Sequence, residues 1–350
     1  MLVPSLHPTG PVKGAVALAN ALADRRTVTL APVKPGPGVE APIDPAVTVL
    51  PLYESGGRRA GVGRLASALE AAGGRPSGGA AMVSYCLSAD FTARRLRRHA
   101  RWISSVRGNL PRNYRFDYGK AGGPLATLHL LSLRAADRVV AMTEPMAGQI
   151  ARFTGRRPVV IGNFVDEAPL EPFRRSPDPA APLTLAFLGS LSDRKQPLAL
   201  VEAAARLAGQ GVDLRVDMMG EGPLRPRIEA AAREAGLTDR VFLHGHLANP
   251  YPVLARAEAL VLPSLSEGIS RAVLEALQLG VPVVLRDVDG NRAVVSDGRN
   301  GRLFGDPADL PAAILAASGL RRTGDGGSLL PPTFRQAPCA QAFLELAEAE

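Results

Sequence analysis

The sequence predicts an α/β fold of two doubly wound parallel sheets, and three observations carry that expectation. Short apolar runs alternate with helical patterns along nearly the whole chain, an order that builds parallel sheets covered by helices on both faces. The alternation breaks once, at residues 166–182, which are rich in proline and charge and have no period, as expected of an interdomain linker. At 350 residues the chain can bury two cores of ordinary size.

In the first half, Leu2-Val3-Pro4 is a stub of a strand and Val12 to Ala23 a helix. Strands follow at 27–33 and 47–52, a helix at 62–72, a strand at 81–86 and a helix from Phe91 to Ala100. Residues 102–106 form a strand, 125–136 a helix, 138–142 a strand, 145–153 a helix and 158–162 a strand. In the second half, strands at 183–188, 212–219 and 241–243 alternate with helices at 197–208, 224–235 and 251–257. The tract 319–332 reads as flexible because of its glycine and proline, and a helix around Phe343 to Ala347 closes the chain and could pack back on the first domain.

Composition excludes several classes. Two cysteines, Cys86 and Cys339, argue against a disulfide framework or a cysteine zinc site and for a reducing cytosol. No signal peptide is visible, since Met1-Leu2-Val3 breaks at Pro4, and no uncharged apolar run nears the roughly 20 residues of a membrane span. The net charge is +8, but residues 1–165 hold 22 Lys and Arg against 9 Asp and Glu, and the remainder 19 against 24. A basic first half suits anionic lipid, a polyanionic acceptor or nucleic acid. Arg94, Arg95, Arg97, Arg98, Arg101, Arg107, Arg112 and Arg115, interleaved with Phe91, Leu96, Trp102 and Ile103, would form a cationic face with apolar side chains, suited to an anionic membrane surface. A solvated helix face explains the same arginines; nucleic acid ranks last because no RNA- or DNA-binding motif accompanies the charge.

The most informative stretch runs from Ala259 to Leu285. A buried strand stopped by Pro263, a polar loop with Gly268, a helix ended by Gly280 and a second strand make one βαβ unit. The amides opening such a helix lack internal partners and favour an anion, Gly268 permits close approach, and Ser270 adds a hydroxyl. Glu267 and Glu275 stand eight residues apart, about 12 Å along a helix, too far to share one metal or proton. They suit two hydroxyl-bearing ends of a ligand whose phosphate sits on the amides. An N-cap and two solvated glutamates are the bland alternative.

The pattern Pro263-Ser264-x-x-Glu267-Gly268 through Glu275-Ala276-x-x-x-Gly280-x-Pro282-Val283 resembles the signature of the retaining GT-B glycosyltransferases of the large Glu-x7-Glu family, the bacterial group 1 or family 4 enzymes. The resemblance implies two Rossmann-like domains facing a cleft, 1–165 on the acceptor side and 183–332 for the nucleotide sugar. Glu275 would hold the nucleotide ribose and Glu267 the donor sugar's hydroxyls. Lys195 and the amides of Gly268, Ile269 and Ser270 would bind the diphosphate, with no metal and no other cofactor required. Lys195 matches the family's diphosphate lysine in a Gly189-to-Lys195 segment, although Ser190 and Gln196 depart from its pattern; Arg194 could supply a second positive charge. Gly220-Glu221-Gly222-Pro223 resembles the turn lining the donor cleft, and the segment through Leu247 the one that reads the base. His244 and His246 lack a third ligand, and Asp287-Val288-Asp289 falls in the loop after the signature, so neither is read as a metal site.

In the first half, Gly14 stands in a loop resembling the family's glycine-rich loop, after a strand short enough to suggest a late start or a trimmed edge. Arg107 stands where many relatives place a histidine; Arg107 or Asn109 could face the sugar, and Asp117, in the same polar loop, could touch the acceptor. The implied activity is transfer of a sugar, with retention, from a nucleotide sugar (UDP favoured over GDP) to a glycan or lipid-linked hydroxyl, in a cytoplasmic protein able to sit on the inner membrane face. The rivals are a sugar-nucleotide epimerase, a catalytically degenerate nucleotide-sugar binder, and a nucleic-acid-binding protein using the basic half.

Overall fold

A computed structural model of the chain describes all residues except 8, 39–41, 55, 75–78, 177, 179, 180, 325 and 350. It divides into two compact units, Met1–Val165 with Thr333–Glu350, and Asp166–Pro332.

The first unit holds strands β1 (Leu2–Val3), β2 (Thr29–Pro32), β3 (Thr48–Val49), β4 (Ala81–Tyr85), β5 (Arg101–Val106), β6 (Arg138–Ala141) and β7 (Val159–Val160). They form a parallel sheet in the order β3-β2-β1-β4-β5-β6-β7. β1, though short, is an interior strand: it pairs with both β2 and β4 and lies at the point where the strand order reverses. The helix Gly10–Ala23, opened by Pro11, buries Val12, Val16 and Leu18 against the sheet core. The terminal helix Gln336–Glu348 joins the same core through Cys339, Phe343 and Leu344.

Two findings depart from expectation here. Residues 110–118, expected as a polar loop, form a helix, Leu110–Tyr118, which packs on the helix Gly122–Ser132. Asn109 caps it by accepting from the Arg112 amide at 3.2 Å, and Pro111 sits in its first turn. Leu96, Trp102 and Ile103, expected to supply apolar contacts on a cationic face, are instead buried in the unit. Behind the helical pair lies a buried polar network. Tyr114 Oη meets His129 Nδ1 at 2.8 Å, and His129 Nε2 meets Asp90 at 2.7 Å; Ser84 and Ser104 donate to the other Asp90 oxygen at 2.5 and 2.9 Å. The helix Cys86–Leu96 leaves β4 directly, because Cys86 adopts the left-handed conformation (φ 69°). Burial, with Asp90 nearby, pushes the Cys86 thiol up to about 12, so it is no thiolate nucleophile at neutral pH.

The second unit holds β8 (Leu183–Leu188), β9 (Leu214–Met219), β10 (Val241–Gly245), β11 (Ala259–Leu262), β12 (Val283–Arg286) and β13 (Gly301–Phe304). The parallel order β10-β9-β8-β11-β12-β13 reverses between β8 and β11, and ligands of such sheets bind at the carboxyl ends of the strands flanking that reversal. Residues 170–173 of the expected linker pack within the second unit. Leu170 is buried, Glu171 accepts from Gln278 at 2.6 Å, and the Phe173 ring lies 6.0 Å from that of Tyr251.

The tract expected to be flexible from Gly319 begins inside a helix, Leu310–Thr323. Buried Arg321 donates to the carbonyls of Gly280 at 2.6 Å, Arg175 at 2.8 Å, Ala255 at 3.3 Å and Leu279 at 3.4 Å. Two of these are orphan carbonyls at the end of the helix Arg271–Gln278, where a cation also complements the dipole. Arg321→Met should lower unfolding stability by about 2 kcal/mol, read from urea denaturation, because it strips charged donors from buried carbonyls.

Candidate functional site

The loops that leave β8 and β11 meet across the strand-order reversal of the second unit. After β8 the chain turns at Gly189 and reaches Lys195 just before the helix Pro197–Gly209. After β11 it passes Pro263 and Ser264 to Glu267, ahead of the helix Arg271–Gln278. Lys195 Nζ donates to Glu267 Oε1, and Arg194 Nη1 lies 4.0 Å from the other carboxylate oxygen. Arg194 also donates to the Ser266 carbonyl at 3.0 Å, and its own carbonyl accepts from the Leu265 amide at 2.8 Å. Lys195 is only 9% and Glu267 only 7% exposed, so the pair is sheltered from solvent screening. Burial opposes ionisation of Glu267, but Lys195 and Arg194 outweigh it and hold the carboxyl below the usual carboxylate range.

Glycines set how closely these loops approach. A Cβ on Gly220 would stand 2.0 Å from the Gly189 carbonyl oxygen, and one on Gly222 would stand 2.4 Å from that of Leu191. The Gly189 and Leu191 amides donate to Met219 and Glu221, and the Gly220 amide to Gly245, so the ends of β8, β9 and β10 are stitched together. Leu247 lies half-buried two residues beyond Gly245. Below the signature loop, Gly290 carries the tightest contact: a Cβ there would fall 1.5 Å from the Gly268 carbonyl oxygen. Gly290 stands in the loop after the signature, and nothing in its local pattern marks this contact.

The helix opens later than expected. Glu267 to Ser270 are not helical; Ser270 is an extended N-cap whose side chain makes no capping hydrogen bond, and Arg271 is the first helical residue. The 12 Å spacing expected of one continuous helix therefore does not apply to Glu267 and Glu275. Gly268 and Ile269 are buried in the loop, Ser270 half-buried at the helix mouth. Glu275, 7% exposed, faces Arg271 Nε at 3.6 Å. Burial first, and the Glu275 charge second, push the Tyr251 phenol up, so this tyrosine senses the second signature glutamate. Nothing in the spacing of Tyr251 announced it.

His244 is half-buried and bonds Asp217 at 2.6 Å, while Arg215 makes a forked pair with the same carboxylate and lies 3.8 Å over the Phe242 ring. Asp287 is bound by both Nε and Nη2 of Arg292, and the side chain of Asp289 lies outside the described residues. Among the described residues no group of three or more His, Cys, Asp or Glu is arranged to hold a metal ion.

In the first unit, the strand ends gather a separate group. Arg107 Nη2 donates to Asn163 and Nη1 approaches Ser105 Oγ at 3.5 Å, with the guanidinium 5.9 Å from the Tyr85 ring centre. A Cβ on Gly14 would stand 3.4 Å from Arg107 and 3.5 Å from Asn163, so this glycine brings the helix Gly10–Ala23 up to the guanidinium. Asn163, 4% exposed, was missed; its only signal is a polar residue just past a strand end. Asn109 Oδ1 accepts from the Arg112 amide and from Gln149 at 3.3 Å, and Asp117 is exposed on the helix rather than in a loop.

A family model described as glycosyl transferases group 1 matches residues 182–318. The chain is 32% identical to the 2-deoxystreptamine glucosyltransferase of Streptomyces kanamyceticus, over 48% of its own length and 47% of the relative's. It is 28% identical to the lipopolysaccharide core biosynthesis glycosyltransferase LpsE of Rhizobium meliloti, over 61% of its length and 64% of the relative's. The chain spans about half the length of the curated relatives it matches. In fold it is similar to Anabaena Alr3699/HepE, solved in complex with UDP, with a TM-score of 0.77 at 17% identity over 100% of this chain and 99% of that one. Sucrose-phosphate synthase from Thermosynechococcus elongatus gives 0.76 at 19% identity, over 99% and 98%.

Proposed function

We propose, from the match of residues 182–318 to the group 1 glycosyltransferase model, that the chain transfers a sugar, with retention, from a nucleotide sugar to an acceptor hydroxyl. The observation that carries this reading is the sheltered Lys195–Glu267 pair at the strand-order reversal, beside the loop amides of Gly268 to Ser270. A nucleoside diphosphate placed on those amides competes with Glu267 for the Lys195 ammonium. The carboxylate released in this way can accept hydrogen bonds from the donor sugar's hydroxyls, while Lys195 and Arg194 neutralise the departing diphosphate. Glu275, one helical turn inside, takes the ribose hydroxyls. No metal is assigned a step; the two cations and the amides supply the positive charge.

UDP is the favoured nucleotide, in keeping with the UDP named in the complex of the Anabaena protein. The acceptor is proposed to be a cell-surface glycan or glycolipid, as the lipopolysaccharide-core relative suggests, with Arg107 and Asn163 on the acceptor side. Thermal shift with UDP, GDP and ADP, without metal and then with magnesium, tests the donor site. One nucleotide should stabilise the wild type without metal, by about 2.7 kcal/mol at a hundredfold excess over its Kd. Glu275→Ala should lose that response. A wild type indifferent to all three nucleotides would defeat the reading.

A further inference from the structure

We propose that the helical pair 110–132 of the first unit is a membrane-docking surface that seats its outward face in an anionic lipid bilayer. Among the described residues eight large apolar side chains are exposed, and four of them lie on this pair: Phe116 at 41%, Tyr118 at 51%, Leu128 at 56% and Leu131 at 39%. Residues 121–133 carry no charge at all. In the helix Gly122–Ser132 the inward positions Ala126, His129 and Leu130 are buried, while Pro124, Thr127, Leu128 and Leu131 form an exposed stripe at helical spacing. A surface helix ordinarily turns a charged face outward; one that is apolar on both faces needs a second apolar environment. Eleven residues are too few to cross a bilayer, so the helix can only lie in its surface.

Charge selects the partner. Arg112, Arg115, Lys120 and Arg134 are exposed and flank the uncharged stretch in sequence, and Asp117 is the one acid from residue 110 to 134. Cations beside exposed leucines and aromatic rings complement anionic headgroups above acyl chains. The outward stripe is also held outward. Tyr114 and His129 tie the inner faces of both helices to buried Asp90, and a Cβ on Gly122 would meet the Tyr114 carbonyl oxygen at 2.1 Å, so the two helices cross closely. Leu128 and Leu131 cannot rotate into the core without breaking that network. Of the arginines from 94 to 115 expected to form one cationic face, this surface takes only Arg112 and Arg115, and three of the apolar partners expected for that face, Leu96, Trp102 and Ile103, are buried.

The full chain should co-sediment with vesicles of equal parts phosphatidylcholine and phosphatidylglycerol, and far less with phosphatidylcholine alone. The double variant Leu128→Glu/Leu131→Glu, at exposed positions that leave the fold intact by circular dichroism, should lower partitioning about tenfold or more. In Leu128→Trp, the added indole should shift to the blue on vesicle addition and be quenched by brominated lipid, whereas the native Trp102 is fully buried and should not respond. Three results would overturn the proposal: vesicle binding unchanged in the double variant, an unshifted emission from the added indole of vesicle-bound Leu128→Trp, or a homodimer in solution that the double variant dissolves. Binding to nucleic acid in place of vesicles would also overturn it.

Discussion

Lys195→Ala should destabilise the protein by about 3–5 kcal/mol and abolish its response to nucleotide. The reason is the burial of its partner: Glu267 is 7% exposed, and removal of the ammonium leaves a carboxylate whose remaining cation, Arg194, is 4.0 Å away. The pH dependence carries the sharper signature. In the wild type the folded-state pKa of Glu267 lies below its unfolded value of about 4.3, so the pair's contribution is complete above that pH. It is lost as the pH falls through the folded pKa. In Lys195→Ala, burial dominates and raises the carboxyl, so the folded state binds the proton more tightly than the unfolded chain. The variant should therefore gain stability on mild acidification from neutrality, where the wild type gains none. Glu267→Gln should remove the acid-limb slope and, by releasing Lys195, tighten binding of the nucleoside diphosphate alone while transfer collapses. Urea melts from pH 4 to 8 would read the two slopes; parallel curves for Lys195→Ala and wild type would refute the pairing.

Gly290→Ala should be nearly as damaging, and for a steric reason. The new methyl would lie 1.5 Å from the Gly268 carbonyl oxygen and 2.8 Å from that of Glu267. Both contacts are to backbone, so relief requires moving either the signature loop or the short helix Asp289–Arg292. The expected cost is about 3 kcal/mol. Displacing the loop by about an ångström should also lower transfer on the order of a hundredfold, because the loop holds Glu267 and the proposed phosphate amides. A variant that keeps wild-type stability and turnover would show that this packing does not position the loop.

The parallel-sheet alternation was legible because buried parallel strands are nearly continuous apolar runs: Leu183–Leu188, Ala259–Leu262 and Val283–Arg286 announce themselves. The helix Leu110–Tyr118 was not legible in that way, since Tyr114 is its only buried side chain and no apolar period marks it. Its cap, Asn109 followed by Pro111, was the readable sign. The tract after Gly319 looked loose for a similar reason: what orders Arg321 is four carbonyls from distant segments, which no local pattern records.

The candidate site shows the same division. Residue types and spacing by themselves determined the strand-loop-helix unit and the cationic bias of the first half; Glu267, Glu275 and Lys195 were singled out by the resemblance of their segments to the group 1 glycosyltransferase signature. Tertiary structure alone decided that Lys195 and Glu267, 72 positions apart, are partners, that the signature helix starts at Arg271, and that Gly290 seats against Gly268. It also decided which apolar residues of the first unit face out. Short-range periodicity records how a segment packs on its own neighbours. Pairings across a sheet reversal, and the face a helix is left with once its other face is anchored, arise only when distant segments are brought together.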